Sequence, residues 1–326
     1  MNAHAVDLTG AGGTAIYPVL SEWTAQYAKE TGTSVTYQPI GSGAGIKQIQ
    51  SRTVMFANTD MPLLSTDVVR NNLVQFPQVM ISITPVVHIA GVKAGDLVLD
   101  GPTLANVYLA NIKYWDDPAI KTLNPTVKLP HQAITTVYRL DGSGTTFNFT
   151  NYLSKVSREW KSKVGEGTSV SWPAGVGGSG NSGVASYVQQ VDGAIGYVEY
   201  AYVIENKLAY TDMVNKAGKR VGPTMEAFQA ATADADFTKV KDFYLILTNH
   251  PGDKSWPITA ATYMLLRKDS PPDQNHQVLK FLHWALTKGQ AQAKALDYVP
   301  LPDELVKQIE QHWTTEIPAA WKTAAN

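Results

Sequence analysis

Short apolar, β-branched runs alternate with amphipathic stretches through the first ninety residues. The pattern predicts a strand from Val6 to Gly10, a helix from Thr14 to about Thr31 and a strand from Ser34 to Ile40. It continues with a helix opening near Ser42, a strand from Val54 to Asp60, a helix from Ser65 to Leu73 and a long apolar run from Val79 to Ile89. Pro18 falls in the first turn of its helix, where a missing N–H is tolerated. Such strand–helix–strand punctuation builds a mainly parallel sheet with helices on both faces, an α/β fold.

The middle keeps this style with longer insertions: a helix from Thr103 to Ile112, a strand from Ile134 to Leu140, helices from Thr145 to Val156 and Ser182 to Val191, and a strand from Ala194 to Tyr200. The tail offers a strand from Pro257 to Leu266, a long helix from His276 to Leu296 and a last helix from Asp303 to His312. One strand and two helices are too few for a sheet domain of their own, so the tail is expected to return to the N-terminal sheet. That makes residues 1–84 plus 259–326 a discontinuous first lobe and 85–258 an inserted second lobe. The crossings are expected near 84–88 and 256–259. No 20- to 50-residue period is visible, which argues against repeat architectures.

With 326 residues, 44% apolar and 17% charged, the chain can bury a sizeable core and is not of disordered composition. A net charge of −1 provides no bulk field toward nucleic acid or anionic lipid, so an anion has to be held by local groups. Cysteine is absent, which excludes disulfides, thiolate metal sites and Cys nucleophiles. No apolar run is long enough to span a bilayer, and the start lacks the basic and apolar regions of a signal peptide. The chain is therefore expected to be either cytoplasmic or a mature exported protein carrying an added Met1.

Three strand-to-helix turns share one chemistry: Gly10-Ala11-Gly12-Gly13-Thr14-Ala15, Gly41-Ser42-Gly43-Ala44-Gly45 and Asp141-Gly142-Ser143-Gly144-Thr145. Glycine admits close approach to a ligand, the first N–H groups of the helix have no intrahelical partner, and the helix dipole favours an anion there. One such turn is ordinarily a cap. Three at the carboxyl ends of strands point to an anion site, where open α/β sheets place ligands. The first turn also reads G-x-G-x-x-A, but Tyr37-Gln38-Pro39 stands where a dinucleotide site needs an acid. A second match at Gly175-Val176-Gly177-Gly178-Ser179-Gly180 reads as part of a flexible surface loop spanning Pro173 to Gly183.

Arg139 and Asp141 alternate to one side at the end of their strand, so the carboxylate can hold the guanidinium while it forks onto an oxyanion. Asp60 also ends a strand. In an anion cleft its carboxylate would repel the ligand unless that ligand carried a proton to donate. Motifs for a Ser nucleophile elbow, a Walker A loop and an H-E-x-x-H zinc helix are missing. His276 and His283, seven apart on one helix, read as packing rather than metal ligation.

Taken together, these words resemble the periplasmic phosphate-binding proteins of bacterial phosphate ABC transporters. The resemblance runs from Leu8 to about Trp313 and rests on Leu8-Thr9-Gly10-Ala11-Gly12, Tyr37-Gln38-Pro39-Ile40-Gly41-Ser42, Gln75-Phe76-Pro77, Leu97-Val98-Leu99-Asp100-Gly101, Lys113-Tyr114-Trp115-Asp116-Asp117, Asp141-Gly142-Ser143-Gly144-Thr145 and Gly193-Ala194-Ile195-Gly196-Tyr197-Val198-Glu199-Tyr200. It implies a two-lobed periplasmic-binding-protein fold that closes on inorganic phosphate in the cleft between lobes. The implied contacts are Thr14, the backbone of Ala15, Ser42, Asp60, Arg139, Ser143, Gly144 and Thr145, with Asp141 orienting Arg139. Ala15 departs from a position that is often Phe, and it serves through its N–H. The implied role is phosphate import through a membrane permease and its ATPase, by an exported periplasmic monomer without enzyme activity, cofactor, metal or nucleic-acid partner. The alternatives are a phosphate-handling enzyme (a phosphatase or transferase) and a binder of another tetrahedral oxyanion such as sulfate or molybdate.

Overall fold

The computed structural model describes residues 7–233 and 235–321, so the expected strand start at Val6 lies outside the described residues. Among the described residues twelve strands occur in chain order: β1 (Leu8–Gly12), β2 (Val35–Gln38), β3 (Phe56–Thr59), β4 (Leu73–His88), β5 (Val98–Leu99), β6 (Thr135–Arg139), β7 (Val176–Gly178), β8 (Ala194–Glu199), β9 (Ala209–Tyr210), β10 (Asp212–Val214), β11 (Arg220–Val221) and β12 (Thr259–Arg267). The chain divides into two compact units. The first comprises the described residues of Met1–Met80, Asp236–Ile246 and Ala261–Asn326; the second comprises those of Ile81–Ala235 and Leu247–Ala260. β4 runs through the boundary after Met80 and β12 through the one after Ala260.

In the first unit β1 is central, pairing parallel with β2 and with β3, while β12 runs antiparallel beside β3. The glycines of β1 set how closely its neighbours pack. A Cβ on Gly10 would lie 2.2 Å from the Phe56 ring. That ring joins a run of aromatic contacts through Tyr37 on one side and Phe281 and Tyr27 on the other. The first helix, Tyr17–Thr31, begins after Thr14 rather than at it, has Pro18 in its first turn, and ends at Gly32, whose φ of 74° suits glycine. Segment 236–246 belongs with this unit, although the hydrophobic pattern assigned it to the inserted lobe. Gln75 Nε2 donates to the Asp242 carbonyl at 2.8 Å, and Tyr263 Oη donates to the Leu245 carbonyl at 2.8 Å.

The expected helix from His276 to Leu296 is two helices, Pro272–Thr287 and Gln290–Ala295. The break belongs to tertiary structure, because buried Trp23 donates from Nε1 to the Gly289 carbonyl at 2.7 Å. A Cβ on Gly289 would lie 2.7 Å from that nitrogen and 2.8 Å from the Ala285 carbonyl oxygen. Gly289→Ala is expected to lower stability by about 1–3 kcal/mol through overpacking, read as a lower urea midpoint at unchanged slope.

In the second unit β8 pairs antiparallel with β4 and parallel with β6, and β6 pairs parallel with β7. β5, β10 and β11 form a small separate sheet. Tyr108, Phe149, Trp172 and Tyr197 pack around the β6–β8 pair, with Phe149 and Tyr197 stacked at 4.1 Å between centroids. Helix starts follow capping chemistry. Asp100 accepts from Thr103 N at 2.8 Å, and Asp117 accepts from Ala119 N at 2.9 Å, each with proline in the first turn.

The glycine-rich stretch from Pro173 to Gly183 is not the flexible loop expected of it. It contains β7 and the start of the helix Gly180–Gln190. Its glycines allow tight packing, since a Cβ on Gly178 would lie 2.6 Å from Val184 N.

Candidate functional site

In the first unit, the turn after β1 and the turn after β2 meet at the end of β3. Gly12 has φ 145°, and a Cβ there would lie 2.1 Å from the Asn58 carbonyl oxygen, so only glycine lets the turn sit this close to β3. Gly41 N donates to the Gly12 carbonyl at 2.8 Å, joining the second turn to the first. Gly13 lies at the centre: a Cβ on it would stand 3.2 Å from Asp60 Oδ1 and 3.5 Å from Ser42 Oγ. Asp60 N in turn donates to Ser42 Oγ at 3.3 Å.

The carbonyls of the first turn are tied up by donors of the same unit. Tyr37 Oη donates to Gly13 at 2.9 Å, Tyr17 N to Thr14 at 3.2 Å and Tyr298 Oη to Ala15 at 2.6 Å. Thr14, Ala15, Ser42 and Asp60 are all buried. Gly13 and these bonds therefore bring Ser42 and Asp60 beside the turn that carries Thr14 and Ala15, within one unit.

In the second unit, β6 delivers Arg139 at its carboxyl end, only 3% exposed. Arg139 Nε donates to Asp141 Oδ1 at 2.8 Å and Nη2 to Asp141 Oδ2, while Nη1 is buried with no hydrogen-bond partner. Gly180 N also donates to Asp141 Oδ1, at 2.9 Å. Burial pushes the Asp141 carboxyl up, but the guanidinium of Arg139 and the Gly180 N–H together outweigh it and hold the group below the usual carboxylate range.

Just beyond, Ser143 caps the helix Gly144–Val156, its Oγ accepting from Thr146 N at 3.1 Å. Serine's hydroxyl proton is not consumed by that acceptor role. Gly144 and Thr145 occupy the first two helical positions, buried, where backbone N–H groups and the helix dipole favour an anion. Tyr197 locks the turn's neighbours: its Oη accepts from Arg139 N at 3.3 Å and lies 2.7 Å from Thr146 Oγ1. Burial drives the Tyr197 hydroxyl far above its ordinary value, so it stays neutral.

Each predicted residue thus stands at a strand end, in the turn that follows it or at a helix start, in one of two sets: Thr14, Ala15, Ser42 and Asp60 in the first unit, and Arg139, Asp141, Ser143, Gly144 and Thr145 in the second. Sequence reasoning missed Thr262, whose Oγ1 donates to Asp60 Oδ1 at 2.9 Å, and Asn58, which shares that network. Asn58 was detectable, because alternation places it on the same side of the strand as Asp60. The Gly180 bond to Asp141 and the Tyr298 bond to Ala15 span 39 and 283 residues and leave no local signal. His276 and His283 face the Ala320 carbonyl at 3.1 Å and Glu310 at 2.7 Å.

Replacing Asp141 tests its role as a holder of Arg139. Asp141→Asn keeps an acceptor for the guanidinium but removes the charge that neutralises it. Stability should fall, while affinity for an oxyanion should move by less than about tenfold because the cation is then less compensated. The pH dependence has a definite sign. A depressed carboxyl contributes stability that is present above its unfolded value and lost as pH falls through the folded one. The variant should therefore show a shallower acid limb in urea midpoint against pH.

Residues 2–288 match the PBP superfamily domain. The phosphate-binding protein PstS of Xylella fastidiosa strain 9a5c is 51% identical over 312 residues, covering 95% of this chain and 86% of that protein. The protein of the same name from Haemophilus influenzae strain Rd is 49% identical over 316 residues, covering 97% and 95%. Among solved structures, a high affinity periplasmic phosphate-binding protein bound with phosphate matches with a TM-score of 0.74 over 94% of this chain and 93% of that one. At 20% identity that likeness speaks for the fold alone. By domain match and by these relatives, the chain belongs to the PBP superfamily and, within it, to the family of PstS phosphate-binding proteins.

Proposed function

We propose that this chain binds inorganic phosphate and delivers it to a membrane ABC permease and its ATPase for import. It is a binding protein of its family, not an enzyme. The observation that carries the ligand's chemistry is Arg139: a buried guanidinium with two nitrogens committed to Asp141 and Nη1 unpartnered, next to the N-terminus of the helix Gly144–Val156. A buried donor without a partner costs roughly 1–3 kcal/mol, more when charged, and an oxyanion would satisfy it.

In this reading the phosphate takes contacts from Thr14, the Ala15 N–H, Ser42 and Asp60 and from Arg139, Ser143, Gly144 and Thr145. The two units act as lobes, with the hinge expected where β4 and β12 cross between them, after Met80 and Ala260, rather than at 84–88 and 256–259. The protein works in the periplasm as a monomer. Among the described residues no helix is long and apolar enough to cross a membrane.

Phosphate has five non-hydrogen atoms. A ceiling of about −1.5 kcal/mol for each gives roughly −7.5 kcal/mol, near micromolar affinity. Titration calorimetry should give a phosphate Kd of micromolar order. Millimolar binding at low salt, or release of phosphate from an ester substrate, would overturn the reading.

A further inference from the structure

Asp60 is itself held by a side-chain relay from a neighbouring strand. β12 runs antiparallel to β3 with Tyr263 opposite Thr59, and continuing that register sets Thr262 opposite Asp60. Thr262 is fully buried, as is Asn58, and Asp60 is 1% exposed. Asn58 Nδ2 donates to the Tyr263 carbonyl at 3.1 Å, which accepts only, so the amide's orientation is fixed. The same nitrogen donates to Thr262 Oγ1 at 2.8 Å.

Thr262 has one hydroxyl proton, and it lies 2.9 Å from Asn58 Oδ1 and 2.9 Å from Asp60 Oδ1. An ionised carboxylate is the stronger acceptor, so the proton goes to Asp60. The result is a chain, Asn58 N–H to Thr262 O–H to Asp60 Oδ1, that stabilises a carboxylate at that oxygen more than a carboxylic acid.

We propose that Thr262 is a specificity-determining positioning residue: its hydroxyl, oriented by Asn58, keeps Asp60 an acceptor that admits a protonated oxyanion and rejects one with no proton. The inference rests on phosphate being the ligand. A hydrogen bond to a charged group is about twice as strong as a neutral one, so losing it penalises the carboxylate more than the acid. Without the hydroxyl, Asp60 can take up a proton and donate it to sulfate.

The test is competition calorimetry with phosphate and sulfate on the native protein, Thr262→Val and Thr262→Ser. Thr262→Val removes the donor at nearly constant shape and should lower the phosphate-over-sulfate preference roughly tenfold, with proton uptake on sulfate binding seen as a buffer-dependent heat. Thr262→Ser restores the hydroxyl and should restore the preference. A merely structural threonine would weaken both anions alike and leave the ratio unmoved. A native ratio in a Thr262→Val protein that still binds phosphate overturns the relay, as does failure of Thr262→Ser to restore a lost preference. Failure of the native protein to bind phosphate would instead overturn the phosphate reading itself.

Discussion

Arg139→Ala should weaken phosphate binding at least tenfold, with calorimetry giving a raised Kd and no shift in stoichiometry. Arg139 would supply the one full positive charge among the proposed contacts. Truncating one member of a buried charged pair costs about 2–5 kcal/mol in affinity, and part of that is the charge left behind. Here the charge left behind is Asp141, a carboxylate that would then sit near an anion with backbone N–H groups, Gly180's among them, but no cation to compensate it. The effect should therefore exceed that of losing any neutral donor such as Ser143. An unchanged Kd would mean that helix N–H groups and hydroxyls suffice and that Arg139 serves only to pair with Asp141.

Contrast with Asp141→Asn makes this more than a deletion test. Both changes break the same ion pair, but one removes the cation that would face the ligand and the other removes its counterion. If the pair mattered only for folding, both variants should lose stability and neither should lose affinity selectively. Divergence, with Arg139→Ala losing affinity and Asp141→Asn losing mainly stability, assigns the guanidinium to the ligand.

What the sequence disclosed about this site follows from how local the chemistry is. The three turns were legible because a glycine beside a strand end, followed by Ser or Thr, has few uses other than capping a helix or cradling an anion. Ser143 does cap its helix, so the two readings are not exclusive there. Arg139 and Asp141 were legible because they lie two apart on one strand. The supports of these residues were not. Thr262 is 202 residues from Asp60 and reaches it only through the register of β12 on β3.

The same limit explains the fold. Helix breaks and strand starts set by local residues could be read, such as Gly32 ending the first helix. The break at Gly289 is imposed by Trp23, 266 residues away, and no helical periodicity reports it. The stretch from Pro173 to Gly183 was misread for a related reason. Its glycines look permissive in isolation, whereas against β6 and Val184 they are required by close packing, and Gly180 then places an N–H on Asp141.

Asp60 carries the sharpest expected outcome, because a carboxylate proposed to line an anion site needs a reason. Near neutral pH phosphate keeps at least one proton and can donate it to an acceptor. Sulfate has none, so its oxygen would face the carboxylate with nothing between them. An unmatched buried charge or acceptor costs several kcal/mol, and a site built around a ligand's hydrogen-bond donor can reject an analogue that lacks it by orders of magnitude. Thr262 sharpens what Asp60→Asn should do. With that hydroxyl donating to the new amide's oxygen, as it does to Asp60 Oδ1, the NH2 is left toward the anion. The native protein should therefore ignore sulfate in large excess, and Asp60→Asn should bind both anions, closing the preference by roughly a hundredfold or more. Competition calorimetry decides it: comparable sulfate binding by the native protein, or an Asp60→Asn variant that still excludes sulfate while binding phosphate, would remove Asp60 from the selectivity mechanism.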